Sequence, residues 1–248
     1  MIRKIKPLPS RLWILLVPFG SSCTYLDFWK EEKPCPPEMV LVRGGPEQKR
    51  FCIDRFEFSS DPLKLNIYPY AGLNYFQCKS LCRKQGKRLL SHKEWVEACQ
   101  GTDPTKCNKF RDHPILRATR SSKGWYYKGK DCRKTRNMWG DCMQDLRLNR
   151  MPATLARNGE FTACVSKYGV HHMVGNLGEW VSDLRENRRG RVLGRFDGGL
   201  YPQQKSSCSY TTIAHEPGYK DYSIGCRCGK EVNPRWVADD DYSAWGQY

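Results

Sequence analysis

Residues 168–180 read Tyr-Gly-Val-His-His-Met-Val-Gly-Asn-Leu-Gly-Glu-Trp, and here the sequence pattern is most distinctive. Upstream, residues 86–98 read Gly-Lys-Arg-Leu-Leu-Ser-His-Lys-Glu-Trp-Val-Glu-Ala. Downstream, residues 197–201 read Asp-Gly-Gly-Leu-Tyr and residues 225–227 read Gly-Cys-Arg. One such motif is a weak signal, but four in a fixed order along one chain are a specific one.

The four motifs resemble those of the formylglycine-generating-enzyme, or sulfatase-modifying factor, family. Its Tyr-Gly-(Val/Leu)-x-Asp-Met-x-Gly-Asn-Val-Trp-Glu-Trp motif matches residues 168–180, and its Gly-Lys-Arg-Leu-Pro-Thr-Glu-x-Glu-Trp-Glu-x-Ala motif matches residues 86–98. Its Arg-Gly-Gly-Ser-(Trp/Tyr) and Gly-Phe-Arg motifs correspond to the two downstream segments. The resemblance covers residues 35–229 and implies an α+β, C-type-lectin-like fold with little regular secondary structure.

Three positions depart from the family pattern. Gly178 replaces the first Trp of the Asn-x-Trp-Glu-Trp motif, and His172 replaces the Asp that precedes the motif's Met. Cys226 replaces the Phe of Gly-Phe-Arg.

The resemblance implies a chemistry for which this chain has one of the two expected cysteines. Family enzymes oxidise a substrate cysteine to formylglycine with copper(I) held by two cysteine thiolates, five residues apart, after the Gly-Gly motif. Cys208 matches the second of these, but Gln203 stands at the first. Cys208 is the only cysteine between Gly199 and Cys226, so no shift of the alignment supplies another. An amide does not replace a soft thiolate ligand, so we predict that copper is not bound.

We therefore predict a non-catalytic binding or scaffold module, whose ligand is an unidentified protein or glycan. The alternative is a copper-dependent oxidase that matures sulfatases, in which Cys208 would be the catalytic residue. A disulfide from Cys208 to Cys226 or Cys228 would remove its thiolate, so its redox state discriminates between the two hypotheses.

A calcium site is the second expectation that rests on the resemblance. Asn176, the Leu177 carbonyl and Glu179 lie in the family's Asn-x-x-Glu-Trp loop, which binds calcium through hard oxygen ligands in related folds. The alternative is that Asn176 caps a turn while Glu179 pairs with an arginine.

The chain contains 13 cysteines, and this count indicates an oxidising compartment. Zinc clusters usually need Cys-x-x-Cys pairs, and the sequence has none, which favours disulfides. Strand-forming segments flank the turn at residues 44–46, so we predict that they bring Cys35 and Cys52 together. We also predict a Cys132–Cys142 bond. The full set of candidate disulfide residues is Cys35, Cys52, Cys82, Cys99, Cys107, Cys132, Cys142, Cys164, Cys208 and Cys228.

The N-terminus has the features of a bacterial signal peptide over residues 1–22. A basic segment precedes the apolar residues 12–20, which are too few to span a bilayer. The following Ser-Ser-Cys resembles a lipobox, so we predict a lipid anchor on Cys23, with residues 23–34 as its tether. Without Cys23 the remaining twelve cysteines could pair completely. Alternatively, Cys23 is the last residue of an ordinary signal peptide.

The formal net charge of +16 permits an acidic partner, but basic residues are spread along the chain, as on an ordinary solvated surface. The densest run, residues 185–195, contains five arginines and is interpreted as an exposed loop. Export argues against nucleic acid as a partner. We predict an extracytoplasmic, membrane-anchored protein.

Two helices are predicted with the most local support. Residues 73–85 place apolar side chains at spacings of three and four, and Ser91 with Glu94 forms a capping box before a second helix. Residues 102–150 are interpreted as a loop insertion, and residues 230–248 as a flexible tail.

Overall fold

The computed structural model describes residues 33–44, 49–108, 126–127, 130–131, 144, 146–150, 154–201, 203 and 205–233. The predicted signal peptide, Cys23 and most of the tether lie outside these ranges, as do Cys132 and Cys142. In the part of the chain that is described, no helix is long and apolar enough to cross a membrane.

The first sheet joins the two ends of the domain. Its strands are β1 (Met39–Val42), β2 (Phe51–Asp54), β3 (Arg88–Leu89) and β10 (Cys228–Glu231), in the order β1-β2-β10-β3. All its pairings are antiparallel. Strand β10 runs beyond the domain end predicted at residue 229, because its backbone pairs with β2 as far as Glu231.

The second sheet lies between these ends in sequence. It contains β6 (Gly178–Glu186), β7 (Val192–Asp197), β8 (Thr211–His215) and β9 (Ile224–Cys226), in the order β8-β7-β6-β9. Strands β6 and β9 are parallel, and the other neighbours are antiparallel. A separate pair is formed by β4 (Tyr126–Tyr127) and β5 (Lys130–Asp131).

The arginine-rich run was predicted to be an exposed loop, and this is correct for its middle and wrong for its ends. Arg188, Arg189 and Arg191 lie in the exposed connection between β6 and β7, whereas Arg185 pairs with Leu193 across the two strands. The ends were misassigned because exposed strands of a two-sided hairpin carry charged residues as readily as a loop does.

Two helices pack against the sheets. Helix α1 (Tyr75–Lys84) buries Tyr75, Cys78 and Cys82 on one face, and Asn74 and Gln77 cap its start. Helix α2 (His92–Cys99) begins with the predicted capping box of Ser91 and Glu94. Short 3₁₀ helices span Pro104–Lys106 and Leu146–Arg150.

Four disulfides cross-link the described residues. They join Cys35 to Cys52, Cys82 to Cys228, Cys99 to Cys208 and Cys107 to Cys164. The Cys35–Cys52 bond connects the segment before β1 with β2, across the turn from which the pairing was predicted. The Cys107–Cys164 bond fixes the start of the predicted loop insertion to the domain body.

Candidate functional site

Cys208 lies in the loop between β7 and β8, and it is bonded to Cys99 at the end of α2. The partners considered from the sequence, Cys226 and Cys228, are not the ones to which Cys208 is bonded. Cys208 packs on the core cluster that contains Cys99 and Trp95, whereas Cys226 and Cys228 belong to a separate cluster against α1. The disulfide leaves Cys208 without a thiolate.

Gln203 occupies the position of the missing copper ligand. Its backbone N–H donates to the Leu200 carbonyl at 2.9 Å, and its side-chain Oε1 is buried with no hydrogen-bond partner among the described residues. An amide at one position and a disulfide sulfur at the other are not the soft thiolate pair that copper(I) requires. The residues at this place therefore do not fit a two-thiolate copper centre.

The Gly-Gly motif before this loop is required by backbone geometry. Gly198 and Gly199 have φ angles of +90° and +79°. A Cβ on Gly199 would lie 2.3 Å from Ser206 Oγ, and one on Gly198 would lie 2.7 Å from the Met173 carbonyl oxygen. Glycine is therefore the residue that lets the chain leave β7 against residues 173 and 206.

The departure at Gly178 also has a packing explanation. A Cβ built on Gly178 would lie 2.8 Å from Leu200 Cδ2 and 2.9 Å from Phe196 Cδ2. These two side chains leave no room for a larger residue such as the tryptophan of the family motif at this position.

Asn176 is the centre of a buried polar network. Its Nδ2 donates to Glu57 Oε2 at 2.6 Å, and its Oδ1 accepts from Asn108 Nδ2 and the Ala156 N–H, both at 2.8 Å. The Leu177 N–H donates to Glu57 Oε1 at 3.1 Å. Asn176 also has a φ of 54°, a left-handed conformation that Asn tolerates better than most residues.

Glu179 pairs with an arginine, the alternative weighed against calcium. Arg227 Nη2 lies 2.7 Å from Glu179 Oε1, and Arg227 Nε donates to both carboxylate oxygens at 3.0 Å. Trp95 Nε1 donates to Glu179 Oε2 at 2.7 Å. Burial alone would lower the pKa of Arg227, but the carboxylate of Glu179 raises it, so the guanidinium stays charged.

Two of the predicted calcium ligands have side-chain oxygens that are engaged in hydrogen bonds. The side-chain oxygens of Asn176 and Glu179 already accept hydrogen bonds from N–H donors, and Glu179 faces the positive charge of Arg227. A hard cation needs several oxygens that are free to converge on it. Calcium binding stays a prediction from the resemblance, without support from the arrangement of these side chains.

Sequence reasoning missed several members of this buried network. Glu57, Asn108 and Arg227 lie far from residues 168–180 in sequence, and no local spacing links them to that segment. Outside this network, His92 places Nδ1 2.8 Å from Asp197 Oδ2. Its position in the first turn of α2 gave no indication of a partner on β7.

His171 and His172 lie next to each other, with ring centroids 6.3 Å apart. Burial lowers the pKa of His171 to about 4, and the neighbouring His172 and the guanidinium groups of Arg227 and Arg55 add to the effect. His171 is therefore neutral at physiological pH. His172 is buried with φ of 59°, and its Nδ1 lies 3.7 Å from Glu57 Oε2.

A groove of about 490 Å³ opens beside α1 and the start of α2. Its lining is basic and hydroxylated, and Leu89 is the one aliphatic side chain among the described lining residues. These residues are Tyr75, Lys79, Arg83, Lys87, Arg88, Leu89, Ser91, Glu94 and Ser182.

The positive charges of this groove are only partly neutralised. Lys87 Nζ lies 2.6 Å from Asp54 Oδ1, and Arg88 Nη2 lies 2.6 Å from Glu94 Oε1. Lys79 and Arg83, one helical turn apart and both exposed, make no ion pair with an acidic residue of the described ranges. These two side chains can meet an anion without breaking an existing pair.

Comparison with solved structures defines the class of fold. The Major Tropism Determinant P3c variant is 15% identical with a TM-score of 0.53, covering 80% of this chain and 53% of that chain. This chain thus spans about half the length of the determinant. CarF is 13% identical (TM-score 0.48; 80% of this chain, 99% of that chain), and PvdO from Pseudomonas aeruginosa is 16% identical (TM-score 0.46; 74% and 81%).

The mixed sheets, few helices and four disulfides form an α+β, C-type-lectin-like fold. The chain belongs to the sulfatase-modifying factor enzyme 1-like domain family, whose model matches residues 59–232. No curated protein matches the chain.

Proposed function

We propose that this protein is an extracytoplasmic, non-catalytic member of its family that binds acidic glycans. The Cys99–Cys208 disulfide is the observation that supports a non-catalytic role. It occupies the one cysteine at the family's copper position, and Gln203 occupies the other position. Removal of both thiolates leaves the domain with a scaffold but without the metal chemistry of the enzymes it resembles.

The compartment follows from the same cross-links. Four disulfides in the described residues persist where the environment is oxidising, and not against the thiol pool of a cytosol. We infer that the N-terminal segment exports the chain and that Cys23 carries a lipid anchor. On this account the domain is displayed at a membrane surface.

The groove beside α1 is the proposed ligand site. Lys79 and Arg83 supply positive charge, and Ser182 supplies a hydroxyl group at its wall, whereas the Ser91 hydroxyl is engaged in the capping box of α2. A carboxylated or sulfated sugar offers anions to the two basic side chains and a hydroxyl to Ser182.

Binding of heparin and polygalacturonate to the full chain tests the ligand class, with neutral dextran as the uncharged control. We expect Lys79→Ala/Arg83→Ala to weaken binding of the acidic polymers at least tenfold, since two charges leave the groove. Lys64→Ala/Lys205→Ala removes equal charge from exposed positions outside the groove and should change binding less than twofold. Equal losses in both variants, or tighter binding of polyglutamate, would overturn the glycan proposal.

The enzymatic alternative is tested separately. The oxidised full chain, supplied with copper and oxygen, is incubated with a cysteine-containing sulfatase peptide. We expect no conversion of the peptide cysteine to formylglycine by mass spectrometry. Repeated turnover by the purified chain would show that the protein is an oxidase.

A further inference from the structure

Cys78 and Cys226 are the free cysteines among the described residues. Cys78 lies on α1 and Cys226 ends β9, and both are completely buried in one core cluster with Cys82 and Cys228. Cys226 is also the residue that replaces phenylalanine in the closing Gly-Phe-Arg motif. Two unbonded thiols in the core of a domain with four disulfides need an explanation.

The Cys82–Cys228 disulfide fixes how helix α1 and the chain around Cys226 are aligned, and so where the two thiols lie relative to each other. It holds the two Cα atoms 5.5 Å apart. Cys78 lies four residues before Cys82 on the helix, a rise of about 6 Å. Cys226 lies two residues before Cys228 in extended chain, a rise of about 6.6 Å. The steps are nearly equal, so Cys78 and Cys226 lie at similar distances from the disulfide.

Direct contacts agree with this register. The Cys78 thiol donates to the carbonyl oxygen of Gly225, the residue before Cys226, at 3.5 Å, and both thiols lie in one buried cluster. The intervening residue, Arg227, points away from α1 towards Glu179. The two thiols therefore face each other across the interface of α1 and the second sheet.

We propose that Cys78 and Cys226 form a fifth disulfide in the mature protein. Each thiol loses a proton and one electron as the S–S bond forms, and a disulfide oxidant of the extracytoplasmic compartment is reduced to two thiols. Cys82–Cys228 ties α1 to β10 of the first sheet. The additional bond ties the same helix to β9 of the second sheet.

This bond forms before the core closes. Burial raises the pKa of the Cys78 thiol, and Cys226 beside it raises it further, so the nucleophilic thiolate is scarce in the folded domain. Neither sulfur is accessible to an oxidant once folding is complete. A chain produced in a reducing compartment would keep the pair as trapped thiols.

Tryptic digestion can distinguish the possible disulfide pairings, because a basic residue separates the two cysteines of each neighbouring pair and trypsin cleaves between them. Lys79 lies between Cys78 and Cys82, and Arg227 lies between Cys226 and Cys228. The exported full chain is denatured in iodoacetamide without reductant, digested and analysed by mass spectrometry. We expect residues 65–79 cross-linked to residues 221–227, and residues 80–83 cross-linked to residues 228–230.

Three results would overturn the proposal. Alkylated Cys78 and Cys226 would show a stable dithiol, and exchanged partners would show a different register. One equivalent of retained zinc, with all four cysteines alkylated, would show a metal centre. As a check on the labelling, Cys78→Ala should expose Cys226 as a single new alkylation site under the same conditions.

Discussion

Arg227 donates to both carboxylate oxygens of Glu179, and both side chains are almost completely buried. Glu179 lies on β6 of the second sheet, and Arg227 is the residue at which the chain passes from β9 into β10 of the first sheet. Arg227 also donates to the carbonyls of Asp54 and His171. One guanidinium thus ties the two sheets and the family's central motif together.

Loss of one member of this pair should destabilise the domain strongly. We expect Arg227→Met to lower the free energy of unfolding by about 3–5 kcal/mol, because it leaves a buried carboxylate without its counter-ion. Urea unfolding followed by tryptophan fluorescence measures the change. Glu179→Gln/Arg227→Met, which removes both charges, should recover part of the loss. A single variant within about 0.5 kcal/mol of wild type, the usual range of surface substitutions, would contradict this role.

We expect the side chain of Asn176 to stabilise the folded domain. Asn176→Ala removes hydrogen bonds to Glu57, Asn108 and Ala156 and leaves buried groups unsatisfied, so we expect a loss of about 2–4 kcal/mol. Asn176→Asp keeps the shape but places a second carboxylate beside Glu57, and it should also be destabilising. Chemical unfolding of both variants checks the prediction, and near-wild-type stability in either would count against the network.

Calcium provides an independent measurement on the same residues. A ligand that binds only the folded state raises the melting temperature. Because the Asn176 and Glu179 oxygens are engaged by N–H donors, we expect no shift when calcium is added to chelator-treated protein. A concentration-dependent rise that disappears in Glu179→Gln would restore the calcium site expected from the resemblance.

His171 should make stability depend on pH. Its pKa is about 4 in the folded state and near 6.5 when exposed, so between these values the unfolded chain binds the proton. The contribution is complete above pH 6.5 and is lost as pH falls towards 4. His171→Gln should flatten the fall in melting temperature over this window relative to wild type. Parallel curves for the two proteins would exclude His171 as the cause.

The sequence was most informative where neighbouring residues decide the structure. The capping box of Ser91 and Glu94 and the turn between Cys35 and Cys52 involve short separations, and both features are present. The ordered motifs identified the family because they report a whole fold at once. These features need no knowledge of distant contacts.

Long-range partners were not accessible in the same way. Cys208 could reach several cysteines by chain length alone, and only the packing of α2 against the β7–β8 loop selects Cys99. The residues next to Arg227 in the sequence do not indicate that it pairs with Glu179, which is 48 residues away. The ends of the arginine-rich run were assigned to a loop, although they lie on strands β6 and β7. Charged residues indicate that a segment is exposed, but they do not distinguish a strand from a loop.

A gain-of-function variant probes the reasoning about copper. Cys99→Ser releases the Cys208 thiol, and Gln203→Cys restores the second sulfur five residues away. We expect the double variant to bind one equivalent of copper(I), and Cys99→Ser alone to bind it at least tenfold more weakly, since a two-sulfur site needs both thiolates. Equal affinity in the two proteins would show that the missing cysteine is not what excludes copper.

The redox state of Cys208 in the unreduced, exported protein tests the central claim most directly. Alkylation under denaturing conditions, followed by peptide mapping, is predicted to recover Cys208 linked to Cys99, with no alkylated Cys208. Stoichiometric alkylation of Cys208, accompanied by copper(I) bound to the native chain, would contradict the assignment of a non-catalytic binding module.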